Sequence, residues 1–292
     1  MNFQSFTNFF SPVRPWDYRD AARATQYSIF RDSFKLTTWL ALGACLQALL
    51  SYLLPPAFAV APVSLLLTYR VLRPTLAHQG LIRHKQMNGV FLGKHTVQSP
   101  LKDGGLSANS AENGVAILIL AARSNHALGI LGPGYRDVSL YINGMIEDLW
   151  KNANDHGFLG QTTWIAANER YTNNQVMVLC YFRSMEHLHR YAHGSLHSKA
   201  WRWWNRTTAK HPHLSIMHEM YHAPKGHWEN IFINNHMTGI ASPHAMANVP
   251  ENAFWPLADA SQGSLRTQTG RLGRGDGNEN EGYGPVPYQP AQ

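Results

Sequence analysis

The sequence is short of charge. Asp, Glu, Lys and Arg make up only 15% of its residues, against roughly a quarter in an ordinary soluble domain, which argues that part of the chain avoids water. Cysteine is scarcer still: Cys45 lies in an apolar stretch and Cys180 in an expected strand of a separate domain. These two have no reason to meet, which excludes a disulfide framework and any sign of an oxidising compartment. The net charge is +7, but no run of five or more basic residues occurs. No nucleic-acid-binding motif accompanies the charge either, so no nucleic-acid partner is expected. No internal repeat is present. Asn205-Arg206-Thr207 is a sequon, but it falls inside an expected helix and is read as unglycosylated.

The charge deficit has a local source. From Leu36 to Tyr69 there is no charged residue, and Lys35 and Arg70 bracket the run. A membrane-spanning helix needs about 20 apolar residues. Leu36 to Leu54 supplies one candidate and Ala57 to Tyr69 a shorter one, with the helix-breaking pair Pro55-Pro56 between them. The run lies too far from the N-terminus, and is too long, for a cleaved signal peptide. Arg14, Arg19, Arg23, Arg31 and Lys35 precede it; Arg70, Arg73, Arg83 and Lys85 follow it. With both flanks positive, both should face the cytosol. This predicts a membrane-embedded helical hairpin over residues 36–72 after an N-terminal cytosolic segment, 1–35. A single span with a second helix in the interface, and a buried soluble helix pair, are the other readings.

Residues 73–113 read as a linker, glycine- and Asn/Ser-rich in its second half. Gly114 to Ala122 is a continuous apolar run, as in a buried strand. Pro133-Gly134 opens a helical pattern with Val138, Tyr141, Ile142, Met145, Ile146 and Leu149 on one face; it stops at His156-Gly157. Thr162 to Ala167 and Val176 to Phe182 form a strand pair around a turn at Thr172-Asn173-Asn174. Ser184 starts a second helix, which Gly194 interrupts, and Leu214 to Tyr221 is a last strand. The order is β-α-β-β-α-β. The chain is therefore expected to be α+β, a ferredoxin-like βαββαβ domain over 114–240, with both helices on one face of an antiparallel sheet. The other face needs a cover. Two such sheets face to face make a dimeric α/β barrel, so a homodimer is expected. His227 to Asn234 is expected to add an edge strand or cross to the partner. Residues 241–292, rich in Gly, Pro, Asn and Gln towards the end, read as a disordered tail.

Histidine is abundant. Of 16 in the chain, eleven fall between His187 and His244. His193 and His197 share a helix face. In the last strand His218 alternates with Ile216 and Met220, so it points with the apolar set. A histidine in such a row is as readily a satisfied core group as a functional one. Imidazole also suits zinc, copper and haem iron. His218-Glu219-Met220-Tyr221-His222 is a literal HExxH. On a helix that spacing holds zinc with the glutamate as base. On the expected strand the two histidines lie too far apart for one metal. Leu214, Met217 and Tyr221 also fit a helical period, so both geometries stay open. Cys180 sits mid-strand with no charge to activate it.

Tyr181 to Leu188, His193-Gly194-Ser195-Leu196-His197 and Met217-His218-Glu219-Met220 carry a resemblance. So do Gly89 to Lys94, Ala121 to Gly129, Trp201 to Asn205 and Lys225 to Asn230. Together they resemble a fungal family of membrane-linked dimeric α/β-barrel proteins, monooxygenase-like and associated with secondary metabolism. A more distant resemblance is to haem-containing aldoxime dehydratases, in which one helix histidine ligates haem iron and a second, on the following strand, acts in the distal pocket. The matching positions are His197 and His218. The dehydratases carry two fused ferredoxin-like halves and no membrane hairpin; this chain departs from them in both respects.

The first resemblance implies a membrane-associated tailoring enzyme, a monooxygenase acting on a hydrophobic polyketide- or terpenoid-like substrate. His218 would be its base or proton shuttle, Arg183 its holder of a carboxylate or enolate oxygen, and Glu219 a third catalytic group. The second implies His197 as axial ligand, and therefore metal ligand, of a bound haem. A cofactor-free cyclase or isomerase and a membrane-tethered binding protein for an apolar metabolite remain the alternatives.

Overall fold

The computed structural model describes residues 26–83, 85–87, 90–98, 111–166, 175–236, 238–241, 257–276 and 278. Most of the N-terminal segment, the expected turn at 172–174 and much of the tail lie outside them.

Two helices come first, α1 (Leu36–Leu53) and α2 (Pro56–His78). Pro55 ends one and Pro56 occupies the first turn of the other, where its missing donor costs nothing. Helix α2 runs further than the apolar pattern indicates, through Pro62 and Pro74. Each removes one backbone donor without ending the helix. The pair touches where Gln47 Nε2 donates to the carbonyl of Ala59 at 3.2 Å, and Ala59 is buried there. Most leucines of both helices are exposed, Leu50 and Leu76 being half-buried. Among the described residues only α1 is long and apolar enough to cross a membrane, with a mean hydropathy of 1.5. The two-span expectation is weakened accordingly. The uncharged part of α2, Pro56 to Tyr69, would reach only about 21 Å, short of a ~30 Å hydrocarbon core.

The central domain is a four-stranded antiparallel sheet with helices on one side. Its strands are β2 (Val115–Ser124), β3 (Phe158–Ile165), β4 (Val176–Phe182) and β5 (Leu214–Ala223), in the order β3-β4-β2-β5. Helix α3 (Tyr135–Lys151) follows β2, and α4 (Met185–Ala192) with α5 (Ser195–Thr207) follows β4. The chain order is thus β-α-β-β-α-β, with the second helix broken at His193-Gly194. Ser184 caps α4, its hydroxyl accepting from the backbone N–H of His187.

Facing residues show how the layers meet. Ala116, Val178, Cys180 and Phe182 on the sheet pack against Leu149 and Trp150 of α3 and Leu188 and Tyr191 of α4. Phe158 stands edge-on to Trp150 (4.8 Å) and to Phe182 (5.5 Å). Further along, Ala122 and Leu214 meet Tyr135 and Val138, with Trp203 and Trp204 of α5 against them. The apolar stripe of α3 lands where its period places it. Gly157 makes the turn from α3 into β3 with φ +58°, and any side chain there would collide with the His187 ring.

A second, three-stranded sheet has the order β6-β1-β7, from β1 (Val90–Val97), β6 (Phe232–His236) and β7 (Leu257–Asp259). It corrects three expectations. The linker 73–113 contains a strand. The segment from His227 pairs with that strand instead of edging the main sheet. Part of the expected tail is folded: Leu257, Ala258 and Ala260 are buried, and the N–H of Ala260 donates to the carbonyl of Lys94 at 2.9 Å. Thr267 caps a short helix, α6 (Gln268–Arg271), and the buried Arg271 guanidinium meets Glu229 at 2.7 Å. Glycine-rich composition misleads here because small residues pack against backbone without making a hydrophobic period.

Candidate active site

The pairing of β5 with β2 decides which side chains face the helices. Leu120 lies opposite His218, and Leu118 opposite Met220. Leu118 and Leu120 also lie opposite Cys180 and Val178 of β4, which are core residues on the helix side. Directly opposed residues share a face. Leu214, Ile216, His218, Met220 and His222 therefore point towards the helices. Ser215, Met217, Glu219 and Tyr221 point away.

His197 reaches the same space from α5. It is half-buried, and burial is the main cause holding its imidazole below the ordinary histidine pKa. A hydrogen bond to the carbonyl of Ala192 opposes that shift, while repulsion from His218 and His193 adds to it. His218 thus couples electrostatically to His197, and burial favours the neutral ring of His197. With one ring nitrogen donating to Ala192, the other presents a lone pair.

Glu219 and Arg183 do not join them. Glu219 lies on the opposite face, where Tyr221 Oη donates to its Oε2 at 2.6 Å. Arg183 follows the last residue of β4, and its backbone N–H donates to the carbonyl of Gly157. Phe182 pairs with Ala116 whereas His218 pairs with Leu120, four residues along β2. That separation is on the order of 13 Å. Of the expected trio of His218, Arg183 and Glu219, Glu219 turns away from the face that His218 shares with the helices. The physical reason is the period of two along a strand.

The same geometry disposes of HExxH as a zinc motif. His218 and His222 are both on β5, four residues and about 13 Å apart. His222 lies instead near the start of α4, where its charge helps to hold the exposed Glu186 carboxyl low; the larger cause there is the hydrogen bond with Ser184. Among the described residues, no group of three or more His, Cys, Asp or Glu side chains is placed to hold a metal ion. Other histidines pack with one another: His213 lies 4.9 Å from His126 and 5.3 Å from His211, and its Nε2 contacts the carbonyl of Pro133. Cys180 is buried and its thiol is pushed up to about 12, so it is no nucleophile.

A haem needs an axial lone pair and an apolar slot. His197 offers the first. Ile216 and Met220 beside His218, exposed at 38% and 40%, offer apolar surface towards the second. The donor type fits one axial ligand.

Residues 115–240 match the model of the Monooxygenase af470-like family. Over 250 residues the chain is 28% identical to Monooxygenase af470 of Aspergillus fumigatus, covering 84% of this chain and 90% of that one. Among solved structures, an aldoxime dehydratase in complex with butyraldoxime shares 12% identity at a TM-score of 0.36, covering 52% of this chain and 36% of its own. A point mutant of SnoaB, a cofactor-independent oxygenase from Streptomyces nogalater, shares 11% identity at 0.23, covering 36% of this chain and 90% of its own. At these scores neither structure bears on the activity.

Because the folded state disfavours protonated His197, an NMR titration should place its midpoint below the ordinary value of about 6.5. His218→Ala removes a repelling charge and should raise that midpoint. An unmoved midpoint would mean that the two rings do not share a site. The linked stability has the same sign. The unfolded chain takes up the proton first, so stability falls as pH drops from about 6.5 to the lower folded-state value.

Proposed function

We propose, on the premise that residues 115–240 are a Monooxygenase af470-like domain, that this chain is an oxidoreductase of the monooxygenase type. Its substrate is hydrophobic, of the polyketide or terpenoid kind, with a C–H acidified by a neighbouring carbonyl or phenol. Support for this reading comes from the register that turns His218 to the helix side of β5 beside Ile216 and Met220, and from the coupling of His197 to it. Such a pair can take a proton from the substrate and pass it on. The carbanion so formed reduces dioxygen. One oxygen atom enters the product as a carbonyl, the other leaves as water, and the substrate's CH2 group supplies both protons and the electrons. A metal is not needed for that balance. If a haem is bound instead, His197 would hold it, His218 would still move protons, and the haem would supply the redox chemistry.

His218→Ala should reduce turnover by roughly a hundredfold or more and leave substrate binding within a few-fold. A variant as active as the wild type would remove His218 from the chemistry. An absorption spectrum of the purified protein separates the two versions: a Soret band lost in His197→Ala supports haem, and absorbance confined to the aromatic region supports the cofactor-free route.

The protein is held at a membrane through α1, with α2 returning towards the same side, and the folded domain faces the cytosol. Support comes from the uncharged run, the positive flanks and the exposed leucines of α1. Carbonate-resistant membrane association should vanish on deleting residues 36–72. A wild-type protein found entirely in the soluble fraction would contradict this.

The active form is a homodimer. The sheet face away from the helices presents Trp164, Met217 and Tyr221, each exposed, around the half-buried Ile117, Ile119 and Leu179. Among the described residues, Gly239–Ala241 lie against the end of that face near Tyr181. Multi-angle light scattering of the full chain in detergent should give a dimer mass, and Trp164→Glu with Tyr221→Glu should give a monomer. A monomeric wild type would count against the assembly.

A further inference from the structure

Helix α2 ends in an unusually specific way. The N–H of Leu81 donates to the carbonyl of Leu76, and that of Gly80 to Ala77. Gly80 between them has φ +73°. This nested pair of bonds is the left-handed glycine cap that reverses a chain at a helix end. The reversal carries Arg83 and Gln86 back against the last turns of α2. There they join Tyr69, Arg70, Arg73, Pro74 and Ala77 around a cavity of about 180 Å³.

Three arginines therefore line one small cavity. The chain around them carries no acid: no Asp or Glu occurs between Asp32 and Asp103. Among the described residues none of the three forms an ion pair. Arg73 lies over the face of Tyr69, with its guanidinium carbon 6.0 Å from the ring centroid. Cations gathered in this way repel one another unless an anion sits among them. The cavity has room for about six waters, which suits a phosphate group. Planar N–H forks match phosphate oxygens in geometry as well as charge. The surroundings indicate where the phosphate comes from. The cavity adjoins the exposed apolar surface of α2, including Leu65, Leu66, Val71 and Leu72.

We propose that Arg70, Arg73 and Arg83 form a binding site for the phosphate of an anionic phospholipid headgroup, whose acyl chains lie along α2. The choice of a lipid over free phosphate rests on the membrane reading given above; the anion site itself does not. Bound lipid would set the depth of α2 at the interface, and with it the height at which the catalytic domain meets a membrane-dissolved substrate.

The test uses the full chain in a neutral detergent, titrated with short-chain phosphatidic acid, short-chain phosphatidylcholine and inorganic phosphate, with bound lipid counted by native mass spectrometry. Wild type should bind phosphatidic acid roughly tenfold or more tighter than either competitor. Arg70→Gln with Arg73→Gln should abolish that preference. Arg31→Gln with Lys35→Gln, which removes equal charge from residues that do not line the cavity, should keep it. Equal loss in both double variants would reduce the effect to general charge and overturn the site. Inorganic phosphate binding as tightly as phosphatidic acid would overturn the lipid assignment. A folded Arg70→Gln/Arg73→Gln protein, shown by an unchanged far-ultraviolet spectrum, that still prefers phosphatidic acid would overturn the site as well. Because detergent replaces the bilayer, failure here leaves the carbonate-extraction result free to stand by itself.

Discussion

An unbroken ladder holds β5 to β2, from Val115 opposite Ala223 to Ser124 opposite Leu214. Strand side chains alternate, so one residue of slip would send His218 to the far face and bring Glu219 to the helices. What resists the slip is packing. Leu214 is buried against Val138 and Tyr135, and Ala116 and Ala122 leave room for the helix side chains above them. The candidate chemistry depends on this register more than on any local motif. His197, for its part, is placed by the break at His193-Gly194, which lets α5 take a direction of its own over β5.

The electrostatics of the domain follow from the same layering. His197 is kept neutral chiefly by burial and secondarily by its imidazole neighbours. The buried Tyr191 sends its hydroxyl to the carbonyl of Met145 at 2.8 Å, so burial raises its pKa without leaving a polar group unsatisfied. In the second sheet, burial likewise lowers His95, whose ring stacks on Phe232 at 5.8 Å. Charge within this protein is rare and local. The Arg271–Glu229 pair ties the C-terminal segment to the β5–β6 connection. A one-sided removal of either partner would strand a largely buried ion.

Much of the main domain was legible because its elements carry strong periods. Val176 to Phe182 was delimited by its apolar run, and α3 by the spacing of Val138, Ile142, Met145 and Leu149. The break at Gly194 was visible as well. The second sheet was not. Its strands are short, β7 has three residues, and its buried members include Ala258 and Thr96; these contribute no hydrophobic signal. The pairing of Val97 with Leu257 spans most of the chain, and no window of sequence reports contacts at such range. In the site, the facing of His218 was legible from alternation. The separation of Arg183 from it was not, because that depends on register between three strands.

The sequence by itself determined the uncharged, positively flanked N-terminal run, the βαββαβ order, and the placing of His218 among apolar neighbours. Each of these follows from local periodicity or composition, and none needs distant partners. Tertiary structure alone decided that Arg183 stands apart from His218 along the sheet and that Arg83 folds back beside Arg70 and Arg73. Those outcomes rest on strand register and on a left-handed glycine turn. Each converts a small change in backbone geometry into a different set of neighbours.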